Sequence, residues 1–104
     1  MKDYLIRASW TEYYNSFGLD NLNAAKRFVE IWQLADPDSP APSYAMARIH
    51  ARAGKSSWAL KDLEQAVEMG FSRKDLMEAE ELFDTFRDSK KFREIMDGMK
   101  DVMK

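Results

Sequence analysis

A chain of 104 residues fits one domain with a thin core, and its 45% apolar content argues against disorder. Charged residues make up 33% and nearly cancel, leaving a net charge of −2, which lacks the basic excess of a nucleic-acid binder. There is no cysteine for a disulfide or thiolate metal site, Lys2, Asp3 and Arg7 interrupt any leader-like apolar run, and no run nears bilayer length, so a cytoplasmic protein without membrane contact is expected.

Along the chain the apolar spacing predicts helices throughout. Over 3–17, Ile6, Trp10, Tyr13, Tyr14 and Phe17 recur at helical spacing, and Gly18 is expected to cap the C-terminal end. Asn23 is expected to cap a second helix with the stripe Ala25, Phe28, Val29, Trp32 and Ala35. The segment from Asp36 to Pro42, with prolines at 37, 40 and 42, breaks the pattern. A third helix spans about 42–53, with Met46, Ile49, His50 and Ala53 on one face and Gly54 as its stop. Ser56 or Ser57 is expected to cap the fourth, which buries Ala59, Leu60, Leu63, Ala66, Val67 and Met69 before Gly70. Ser72 and Asp75 form a capping-box-like start to a fifth helix with the stripe Leu76, Ala79, Leu82, Phe83 and Phe86 and a candidate break near Glu80. Ser89 is expected to cap a sixth, with Phe92, Ile95, Met96, Met99 and Val102 inward.

The chain is self-similar at a spacing of 34: Ala25 recurs as Ala59 and Val29 as Leu63. Ala47, Gly54, Ala59, Leu63 and Ala66 give the second unit a small-large-small pattern that lets two helices approach closely around a tight turn. In these residues the chain resembles the tetratricopeptide repeat (TPR) family, most closely over about 40–71. The stretch Phe83, Phe86, Arg87, Asp88 and Phe92 is similar to the closing helices that follow a last TPR in many bacterial proteins. Ser43 and His50 stand where that family usually has aromatics, Trp32 where it has a small residue, and Phe71 where it has proline. The resemblance implies an all-α, antiparallel helix-hairpin array of right-handed superhelical form with about six helices. A first hairpin would span 3–38, a second 41–71, and capping helices 72–104.

No constellation for catalysis, cofactor or metal stands out. His50 is the single histidine, and its place on an apolar face reads as core packing. The Gly-Lys-Ser at 54–56 lacks the upstream glycine and strand of a phosphate loop. The carboxylates between Asp62 and Asp88 read as a solvated surface and not as an acid-base pair. A protein without enzymatic activity is expected.

From Ser39 to Lys61 there is no acidic residue, and Tyr44, Arg48 and Arg52 share one face of the third helix. In TPR-like arrays the first helix of each hairpin lines a concave groove. The resemblance therefore directs Tyr44, Arg48 and Arg52 into that groove, with Trp10, Tyr14 and Phe17 from the first helix beside them. Such a face suits a peptide or protein partner of acidic character, through carboxylate pairing and ring stacking. The competing reading is a solvated basic face. The implied function is a protein–protein interaction module; the alternative is a structural capping or oligomerisation domain in which the aromatic first helix packs on another copy.

Overall fold

The computed structural model describes residues 2–99, and Val102 of the expected last stripe lies outside them. The described residues are helical, with no strand among them. They form α1 (Lys2–Gly18), α2 (Leu22–Ala35), α3 (Ala41–Arg52), α4 (Ser56–Glu68), α5 (Lys74–Ala79), a 3-10 helix (Glu81–Phe86) and α6 (Lys90–Asp97). α1 packs on α2 and α3 on α4 as two hairpins, and α2 joins them by packing on α3.

Turn chemistry sets the hairpins. α1 closes with the Asn21 N–H on the Ser16 carbonyl at 2.8 Å and the Asp20 N–H on that of Phe17 at 3.0 Å. This is a Schellman arrangement, and its left-handed residue is Asp20 at φ 61°, not the glycine two positions earlier. Gly18 remains inside the helix. α3 ends the same way, with the Lys55 N–H on the His50 carbonyl at 2.9 Å and Gly54 at φ 78°. Asp20 and Gly54 are 34 residues apart, so the two turns are equivalent.

Several expected caps lie elsewhere. Asn21, not Asn23, caps α2 by accepting from the Ala24 N–H at 3.2 Å. Lys55 precedes α4 without a side-chain cap, so neither Ser56 nor Ser57 plays that part. Arg73 precedes α5, where Asp75 pairs with its guanidinium at 2.9 Å and forms no capping box. Ser89 does cap α6, accepting from the Phe92 N–H at 3.1 Å.

The long fifth helix is divided. Glu80 is extended, with φ −77° and ψ 109°, and separates α5 from the 3-10 helix. Arg87 secures this elbow by donating to the carbonyls of Met77 at 3.2 Å and Glu80 at 2.6 Å, which lie at an α-helix end where acceptors are otherwise orphaned. The break turns Leu76 and Ala79 outward and sends Met77 inward.

Two cores flank α3. Tyr13, Phe17, Ala25, Val29, Trp32, Ala45 and Ile49 form the first. Ala47, Ala59 and Leu63 form the second with Met77, Phe83, Phe86, Phe92, Ile95, Met96 and Met99. The C-terminal segment thus supplies most of the second core. Large apolar side chains each contribute about 1.5–3 kcal/mol when fully buried, so these helices are integral to the fold. Burial repeats at the 34-residue spacing: Ser9 and Ser43, Tyr13 and Ala47, Ala25 and Ala59, Val29 and Leu63, and Trp32 and Ala66 are buried in pairs.

Candidate functional site

A groove of about 460 Å³ runs between α1, α3 and the α5 elbow. This is within the range of about 300–1,000 Å³ usual for ligand clefts. Trp10 and Tyr14 form its outer wall, 46% and 49% exposed, with their rings edge to face at 4.9 Å. α1 can place them there because Tyr13 and Phe17, their neighbours on the same side of the helix, are anchored in the first core. Tyr44 on α3 forms the other side. Its ring stacks on Phe71 at 4.5 Å and meets Phe83 edge-on at 5.8 Å. Leu76, Ala79 and Glu80 complete the groove from the C-terminal segment.

Arg48 lies in the wall as the centre of a polar cluster. Its Nε donates to Glu80 Oε1 at 2.7 Å and its Nη1 to the Tyr13 hydroxyl at 3.0 Å. The guanidinium also stands 4.7 Å from the Phe17 ring centre. Burial opposes its charge, but Tyr13 and Glu80 outweigh burial and raise its pKa. Burial pushes the Tyr13 phenol up to about 12 against the pull of Arg48. The Tyr44 phenol is raised too, first by burial and then by the Glu80 charge. Both hydroxyls therefore stay protonated at neutral pH and act as hydrogen-bonding groups.

Of the residues expected to face the groove, Trp10, Tyr14, Tyr44 and Arg48 line it together. Phe17 does not: it is 5% exposed and lies under the guanidinium groups of Arg48 and Arg52. Arg52 does not either. It sits 4.4 Å over Phe17, donates to the Phe17 carbonyl at 3.1 Å and approaches Asp20 at 3.6 Å. One helical turn separates it from Arg48, yet it serves to fasten α3 to the end of α1. Arg48 is not the free cation that an acid-free stretch suggests, because Glu80 reaches it from 32 residues downstream.

Two carboxylates leave the solvated surface expected for them. One is Glu80. The other is Asp62, whose Oδ2 lies 2.5 Å from His50 Nδ1. His50 is buried, with Trp58 at 5.9 Å between ring centres, but its closest polar partner is a carboxylate and not the apolar neighbours its helix face suggests. Burial raises the Asp62 pKa, and the bond from His50 opposes that shift.

Glu80, Phe71 and Leu76 are site residues that sequence reasoning missed. The available signal was indirect: two arginines on an acid-free helix call for acids from elsewhere, and the acidic stretch after Asp62 offers several candidates at no distinguishing spacing. Comparison with known families, characterised proteins and solved structures yields no match.

Proposed function

We propose that the chain is a protein-interaction module, TPR-like in organisation and without catalytic function, that holds an extended segment of a partner protein in this groove. The observation that carries the reading is the aromatic wall. Trp10 and Tyr14 leave about half their surface in water beside a cleft floored by Tyr13, Trp32 and Ala45. Large rings held rigidly at a concave site are the usual anchors of peptide binding. The recurrence of burial at 34 residues supports the TPR-like organisation, in which first helices of successive hairpins line one surface. No helix among the described residues is long and apolar enough to cross a membrane.

The test is selection of peptides from a displayed library, followed by NMR titration of the indole N–H resonances. Trp10 and Trp32 line the groove, whereas Trp58 belongs to α4 and does not. Selected peptides should shift the first two and leave Trp58 in place. Trp10→Ala with Tyr14→Ala should weaken binding about tenfold or more at unchanged helicity. Peptides that move only Trp58 would refute this site.

The oligomerisation reading rests on a separate observation. Tyr4 and Leu5 are also exposed on α1, so this helix has apolar groups beyond those its hairpin covers. Sedimentation at several concentrations separates the readings: a concentration-dependent dimer lost in Tyr4→Ser with Leu5→Ser would favour a second copy over a peptide.

A further inference from the structure

Arg48 is the better-fixed half of its ion pair. Its guanidinium is bonded to Tyr13, a residue buried in the first core, and lies over the buried Phe17 ring. Glu80 is held less firmly. Apart from Arg48, its carboxylate accepts, among the described residues, only from the Leu82 N–H, at 3.4 Å, near the outer limit of a hydrogen bond. Glu80 is also the sole carboxylate among the groove-lining residues, and it arrives on extended backbone. The fold therefore already shows a glutamate side chain docked on Arg48 from one extended residue between two helices. Of the five guanidinium N–H donors, those on Nη2 make no hydrogen bond among the described residues.

Resting on the groove reading above, we infer that Arg48 anchors the side-chain carboxylate of an extended acidic segment of a partner protein, and that Glu80 is its built-in competitor. The incoming carboxylate takes Nε and Nη2 as a bidentate pair, and Glu80 turns to solvent. One carboxylate leaves as another enters, so the partly buried guanidinium is unpaired at neither end of the exchange. A neutral segment cannot complete it, and a basic one meets the arginine charge. Apolar side chains flanking the partner's acid fall on Trp10, Tyr14 and Tyr44. Glu80 lowers the apparent affinity by the fraction of molecules in which it holds Arg48, because only the remainder are ready to bind. Specificity for acid and weak, reversible capture then come from the same residue.

The probe is the chain's own 78–83 segment, Glu-Ala-Glu-Glu-Leu-Phe, acetylated and amidated, against its counterpart with every Glu replaced by Gln. NMR titration of the full chain reads the Arg48 Nε–H, the indoles of Trp10 and Trp32, and the Leu82 amide. The acidic peptide should move all of them and bind about tenfold more tightly than the glutamine peptide, a preference of the size expected for one charge-assisted pair. Glu80→Gln should tighten the acidic peptide by about another tenfold if Glu80 occupies Arg48 some nine-tenths of the time. Arg48→Gln should make the two peptides equivalent. Equal binding of both peptides to the parent would overturn the inference, as would a folded Glu80→Gln chain with unchanged affinity. If that variant does not fold, the Leu82 amide of the parent decides: a shift with the acidic peptide alone supports exchange, and no shift refutes it. Binding only by acetyl-Ala-Leu-Phe with a free carboxyl terminus would overturn the side-chain source. Binding of both hexapeptides without acid preference leaves the groove standing and removes this inference; no indole shift with any peptide removes both.

Discussion

The equivalence of the two hairpins makes a quantitative demand on Ala25 and Ala59. Both are completely buried, they lie 34 residues apart, and each sits in the first turn of the second helix of its hairpin. Their methyl groups set how closely α2 approaches α1 and α4 approaches α3. Leucine at either position adds three carbon atoms where the space is already filled by Tyr13 and Val29 in one core, or Ala47 and Leu63 in the other. Overpacking of this kind costs about 1–3 kcal/mol. For a domain of this size each kcal/mol lowers the melting temperature by about 4–8 °C. Ala25→Leu and Ala59→Leu should therefore each melt at least about 4 °C below the parent and within about 1 kcal/mol of one another. Ala53→Leu, at an exposed position, should melt with the parent. Thermal and urea unfolding followed by circular dichroism give the comparison. A parent-like Ala59→Leu, or a large cost at one site and none at the other, would refute the packing equivalence of the hairpins.

Two further predictions follow from burial. The Tyr13 phenol is pushed up to about 12 and that of Tyr44 is raised as well, so the folded chain keeps protons that the unfolded chain releases near pH 10. Their contribution to stability is complete below that pH and is lost as pH rises toward 12; urea midpoints between pH 9 and 11.5 should fall, and Tyr13→Phe should flatten the fall. Truncation after Arg87 removes Phe92, Ile95, Met96 and Met99 and uncovers Met77, Phe83 and Phe86. The shortened chain should aggregate or bind a hydrophobic dye, and a soluble, cooperatively melting product would contradict the integral role of α6.

The hairpins were legible because their determinants are local. Alanine and leucine at helical spacing, a glycine at the α3–α4 turn, and two prolines before α3 with a third in its first turn each act within one or two turns of chain. Asp20 escaped notice because aspartate tolerates the left-handed conformation less often than the nearby Gly18 would, and only the hydrogen bonds reveal which residue turns the chain. The groove was half legible for a related reason. Helical spacing places Tyr44, Arg48 and Arg52 on one face, but it carries no information on what the opposing elements bring to each of them. Phe17, Asp20 and Glu80 approach from two other segments and divide that face: Arg52 becomes a fastening for α1, whereas Arg48 stays in the groove with a carboxylate upon it. The position of that carboxylate depends on the break between α5 and the 3-10 helix. Had the fifth helix continued through Glu80, its backbone would not take the extended conformation from which the side chain reaches α3. A single non-helical residue, secured by Arg87, thus brings the carboxylate to the groove, and the groove's charge is decided at the elbow as much as on the arginine-bearing helix.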